Sequence, residues 1–171
     1  ALRVLSLNRF VQDSLLAWNQ TATGDVAVLQ GRETRWRAGG DEAARLIDSA
    51  FDNDLATELR EFQRALPDHV NVTVTDLHGS LVATTNPTAN YYQADEPWWQ
   101  AAYDHGVFLS QPQYDDVRQA YILGVALPIY GHDSADIVGI VRADLSLDVF
   151  YETLAGGQFG QSGRTELYLA D

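Results

Sequence analysis

HVNVTVTDLHGSLVATTN, residues 69–86, decides the fold. Val70, Val72 and Val74 alternate with Asn71, Thr73 and Thr75, the period of two that sends alternate side chains to opposite faces of a sheet. Asp76-Leu77-His78-Gly79 is a turn sequence, and Leu81 begins a second apolar run, so the stretch predicts a β-hairpin. Asp76 and Gly79 read there as turn residues, not ligands. Downstream, GVFLSQ (106–111), QAYILGVALPIY (119–130) and ADIVGIVRADLS (135–146) read as three more strands, turning around Asp115-Asp116 and Gly131-His132-Asp133. The last two are apolar on both faces, which predicts a sheet covered on both sides. Between hairpin and third strand, Asp95 caps a short helix whose first turn holds Glu96 and Pro97.

Upstream the period lengthens. Val4, Leu7, Val11, Leu15, Trp18, Ala22, Val26, Leu29 and Trp36 form one apolar stripe at helical spacing. The stripe keeps its phase through Thr23-Gly24 and predicts one long helix, ended by Gly39-Gly40. Asp41 caps a second helix carrying Ile47, Phe51, Leu55, Leu59, Phe62 and Leu66, stopped by Pro67. The fold class is therefore α+β: a long N-terminal helix, a second helix, and a five-stranded antiparallel sheet.

The 171 residues suffice for one buried core. The net charge of −13 repels nucleic acid and anionic membrane surfaces. All basic residues are Arg, and the absence of Cys removes disulfide, zinc–thiolate and thiol chemistry. No apolar run reaches the roughly 18–20 residues that span a bilayer. With no initiator Met and no signal peptide, the chain is expected to be a piece of a longer protein. His69, His78, His105 and His132 are scattered, and His132, Asp133 and Asp136 suit an exposed turn better than a metal. No phosphate loop, nucleophile elbow or dinucleotide fingerprint occurs, so neither cofactor nor catalysis is expected.

TDLHGSLVATTN, DEPWWQAAY, the Tyr114-Asp115 pair and IVGIVRADLSL, in that order and spacing, resemble the extracytoplasmic Cache sensor domain. The resemblance covers roughly residues 40–171 and implies a PAS-like fold and a periplasmic or extracellular ligand-binding role. It implies a parent sensor histidine kinase or chemoreceptor anchored in the membrane. It assigns residues 1–40 to a membrane-exit and homodimerisation helix, 41–155 to the ligand-binding domain, and 156–171 to a following module or a C-terminal strand.

In the amino-acid-binding branch, the site is a tyrosine, an arginine, an aromatic pair, a later tyrosine and a strand aspartate. These fall on Tyr91, Glu96, Trp98 with Trp99, Tyr114 and Asp144, with Asp115 beside Tyr114. Glu96 reverses the charge of the residue that grips a ligand carboxylate. The aromatics and carboxylates then resemble a box for an amine or other small cation. Arg142 and Arg118 are alternative carboxylate clamps, which would restore an amino-acid or organic-acid ligand. Arg142 also shares strand parity with Asp144, so the two can pair. A ligandless dimerisation or spacer module, and a free extracellular binding protein, are the rival readings.

Overall fold

The computed structural model describes residues 1–116 and 118–148. The expected tail of 156–171 lies outside them. The described helices are α1 (Leu2–Ser6), α2 (Arg9–Asn19), α3 (Val26–Ala38), α4 (Asp41–Phe51), α5 (Asp54–Ala65) and α6 (Pro97–His105). The strands are β1 (His69–Asp76), β2 (Leu81–Thr84), β3 (Phe108–Leu109), β4 (Gln113–Asp115), β5 (Ala120–Tyr130) and β6 (Ile137–Ser146). None of the described helices is long and apolar enough to cross a membrane.

The sheet is antiparallel in the order β2-β1-β6-β5-β3, with β4 also pairing β5. This is the expected α+β antiparallel sheet, with six strands in place of five through one change at its edge. The third expected strand shortens to Phe108–Leu109, and Gln113–Asp115 forms a separate strand on the same neighbour. The turn residues Asp76 and Gly79 close the β1–β2 hairpin. Asp76 Oδ1 accepts the His78 and Ser80 N–H groups, each at 2.9 Å.

The long N-terminal helix is corrected to three helices, because capping side chains outcompete its continuation. Asn8 Oδ1 accepts from the Phe10 N–H at 2.9 Å and starts α2. Asp25 Oδ1 accepts from the Ala27 N–H at 2.9 Å and starts α3. Asn53 likewise divides the expected second helix into α4 and α5, accepting from the Ala56 N–H at 2.7 Å. Each break redirects the stripe: Val11 and Leu15 are buried, while Val4, Leu7 and Val26 are exposed.

Strand parity separates two cores. Val72, Val74, Val141 and Ala143 face one way and pack with Val11 and Leu15 of α2 and Leu59 of α5. On the opposite face, Trp98, Trp99 and Ala102 of α6 pack on Ala126 and Ile140. A third cluster, Trp36, Ala50, Leu81 and Tyr91, lies where α3 and α4 meet β2. Gly139 is a close-approach position: a Cβ there would fall 2.3 Å from the Thr75 carbonyl oxygen and 2.9 Å from Leu15 Cδ1.

Candidate functional site

The α6 face of the sheet does not close over completely. On β1 and β6 the residues between the core positions are polar, and the register aligns them: Asn71 opposite Asp144, and Thr73 opposite Arg142. These four side chains share a cavity of about 330 Å³ with Trp98 and Glu96 from the α6 end and Asn90, Gln93 and Arg118 from the loops. A second cavity of about 480 Å³ adjoins it, walled by Tyr114, Asp115, Phe108, Ser110 and Gly124. Trp98, Arg142 and Asp144 line both cavities.

Arg142 is the hub. Its Nε and Nη2 donate to Asp144 Oδ1 at 3.1 and 2.9 Å. Its guanidinium carbon lies 5.1 Å from the centre of the Trp98 ring, a cation–π contact. Asn71 Nδ2 donates to the other Asp144 oxygen at 3.3 Å. Arg118 Nη1 donates to Asp115 Oδ2 at 2.7 Å, and its N–H donates to Asp115 Oδ1 at 3.0 Å. Unlike Asp144 and Asp115, Glu96 meets no arginine among the described residues. Its Oε1 accepts from Asn90 Nδ2. Glu96 is the N-cap residue of α6, where Asp95 was expected, and makes no cap bond with its side chain.

Of the residues the sequence singles out, Glu96, Trp98 and Asp144 meet in the first cavity. Tyr114 and Asp115 join Trp98 and Asp144 in the second. Two others lie outside both cavities. Trp99 points to the core, where its Nε1 donates to Thr75 Oγ1 at 2.8 Å and its ring stacks on Tyr103. Neighbours on a helix diverge by about 100°, so Trp98 and Trp99 face different ways. Tyr91 is 2% exposed and packs against Trp36 with ring centres 5.8 Å apart. A separate cavity of about 320 Å³ reaches Tyr91 from the helical side, between Trp18, Arg32 and Leu46.

Asn71, Thr73, Asn90 and Gln93 line the first cavity without having been singled out. For Asn71 and Thr73 the signal was present, as polar alternation on a strand both of whose faces are covered. Asn90 and Gln93 lie in irregular chain, where no period applies.

No protein-family model matches the sequence, and no curated protein matches it. Solved structures similar to the chain include the ligand-binding domain of the Pseudomonas aeruginosa PAO1 amino-acid chemoreceptor PctC in complex with GABA. That pair shares 17% identity at a TM-score of 0.49, over 88% of this chain and 60% of the other. The sensory domain of the Campylobacter jejuni chemoreceptor Tlp3 shares 16% identity at a TM-score of 0.49, over 86% of this chain and 68% of the other. The ligand-binding domain of the Pseudomonas fluorescens chemoreceptor CtaA in complex with L-leucine shares 17% identity at a TM-score of 0.45, over 90% and 59%. The chain thus spans about three fifths of the length of two of these three.

Proposed function

We propose that the domain is the extracytoplasmic ligand-binding module of a transmembrane signalling receptor, and that it binds a small zwitterion carrying an amino group and a carboxylate. The observation that carries the ligand class is the charge layout of the first cavity, where Glu96 and Asp144 are set against Arg118 and Arg142. Arg142 spends Nε and Nη2 on Asp144, and its Nη1 has no hydrogen-bond partner among the described residues. That leaves donors for a carboxylate, with charge-assisted bonds of the strong kind. Glu96, met among the described residues only by a neutral amide, is left to take an ammonium group.

A plain amine is served less well than the aromatic composition suggests. The face of Trp98 already carries a guanidinium, and Asp144 is already paired. A cation entering there meets like charge. An organic acid without an amine would sit beside an unneutralised Glu96, which is also unfavourable. The open volume beside Trp98 and Asp144 speaks against a ligandless spacer, whose aromatics would fill it.

In this reading the parent protein is a membrane-anchored sensor kinase or chemoreceptor, with this module on the periplasmic or extracellular side. It pairs with a second copy through its N-terminal helices, on which Val4, Leu7 and Phe10 are exposed. The module acts as a sensor, not a catalyst. Ligand binding shifts a population of closed states that the helices transmit.

The test is a thermal-shift comparison of L-alanine, putrescine and succinate. Ligand at 100 times its dissociation constant adds about 2.7 kcal/mol, roughly 5–10 °C for a domain of this size. Stabilisation by L-alanine alone is expected. Stabilisation by putrescine alone would overturn the zwitterion in favour of the amine.

A further inference from the structure

The wall of the first cavity is held from outside. Residues 87–93 supply Pro87, Thr88, Ala89, Asn90 and Gln93 to its lining, yet they form no helix and only a single bridge, between Ser80 and Tyr92. Helix α3, which lines none of the cavity, grips this loop along one face. Glu33 Oε2 accepts the backbone N–H groups of Tyr91 and Tyr92 at 2.6 and 2.9 Å. Trp36 Nε1 donates to the Thr88 carbonyl at 3.2 Å, and Arg32 Nη1 donates to the Tyr91 hydroxyl at 3.3 Å. Arg37 pairs with Glu33 Oε1 and donates through Nη2 to Asn90 Oδ1 at 2.9 Å.

The last contact fixes more than a position. A guanidinium has only donors, so the oxygen of the Asn90 amide must face Arg37. The Asn90 NH₂ group is then turned to the Glu96 carboxylate, which accepts from it. A relay of four side chains, Glu33, Arg37, Asn90 and Glu96, therefore runs from the helix to the acid in the cavity. Glu33 is its origin: its side chain is 14% exposed, and among the described residues it is the one group that holds both the loop backbone and Arg37.

We infer that Glu33 is a positioning residue for ligand binding: it touches no ligand, but anchors the loop wall and orients Asn90 so that Glu96 is presented to the cavity. This rests on the sensor reading above and deepens it, because it makes α3 the element whose placement and pocket shape are tied together.

The test uses Glu33→Ala, Glu33→Gln and, as a stability control, Leu15→Ala on the opposite face of the sheet. Calorimetric titration with glycine, L-alanine, L-leucine and L-glutamate gives affinity; amide hydrogen exchange reads the Tyr91 and Tyr92 N–H groups directly. Glu33→Ala should weaken binding by about tenfold or more and speed exchange of these two amides by a similar factor. Glu33→Gln keeps an oxygen for the two amides but loses the charge for Arg37, so exchange should stay near wild type while affinity falls part of the way. Leu15→Ala should lower the melting temperature and leave affinity unchanged. A purely structural Glu33 would behave like Leu15, with stability lost and affinity kept, and that result overturns the inference. Should wild type bind none of the four compounds, the zwitterion reading fails by itself. The exchange data then still decide: faster Tyr91 and Tyr92 exchange in Glu33→Ala sustains the anchor, and unchanged exchange removes it.

Discussion

Replacing Asp144 by Asn separates the two ligand chemistries by sign. The side chain keeps its shape and can still accept from Arg142, so the fold should lose little. Exposed ion pairs contribute about 0.2–1 kcal/mol and charge-assisted hydrogen bonds about 1.5–3 kcal/mol. Arg142 and Asp144 are 30% and 21% exposed in their side chains, which sets the pair between those cases. A loss of about 1 kcal/mol is expected for Asp144→Asn, close to 3 °C in melting temperature. The effect on ligand has a definite direction. A carboxylate bound to the free edge of Arg142 would lie roughly 5 Å from Asp144, where like-charge repulsion is about 0.8 kcal/mol at the dielectric of water and about 3 kcal/mol at an effective value near 20. With the ammonium held at Glu96, farther from Asp144 than the carboxylate, removing this repulsion should tighten L-alanine by up to about fourfold at the dielectric of water. Arg142→Ala should instead weaken L-alanine by about 2–3 kcal/mol, more than thirtyfold. Isothermal titration of both variants with L-alanine reads both effects. If Asp144→Asn weakens L-alanine while Arg142→Ala leaves it unchanged, the carboxylate does not sit on Arg142 and the zwitterion argument is refuted.

Three further outcomes follow from packing and titration. Gly79→Ala is expected to cost about 3 kcal/mol or more in a urea melt, combining overpacking with backbone strain. Gly79 has φ +82°, and a Cβ there would lie 2.4 Å from Ala94 Cβ and 2.5 Å from the Ala94 nitrogen. Leu15→Ala, at a fully buried position between α2 and the sheet, should cost about 2.7–5 kcal/mol by the same assay. His69 is buried against Phe62, and burial pushes its imidazole below the ordinary 6.5. The folded state thus binds fewer protons than the unfolded chain between its lowered value and 6.5. Stability should be fully present above about pH 6.5 and fall as the pH drops through that window, a slope that His69→Gln should remove.

The sheet was legible because strand pairing imposed a period of two on Val70–Thr75, and burial of both faces imposed a continuous apolar run on Ile137–Val141. The helical third was legible in composition but not in connectivity. Asn8, Asp25 and Asn53 carry the capping chemistry that breaks the helices, yet the apolar stripe runs in phase across the first two of these breaks and conceals them. Within the site, parity alone brought Arg142 and Asp144 together, and helical divergence explains why Trp98 lines the cavity and Trp99 does not. Tyr91 was out of reach of such reasoning. Its burial depends on Trp36 and Arg32 of α3, more than fifty residues earlier, and only the tertiary fold brings them near.

The separation of the two faces of β1 and β6 has a consequence for how such a module changes over time. Asn71, Thr73, Arg142 and Asp144 floor the cavity, while Val72, Val74, Val141 and Ala143 form the underside that carries α2 and α5. The two sets interleave along the same strands but share no contact surface, so mutation can explore one while selection holds the other still. On the reading proposed above, a lineage carrying this scaffold could exchange one ligand for another through a few codon changes on the upper face, and inherit the packing of α2 and α5 unaltered.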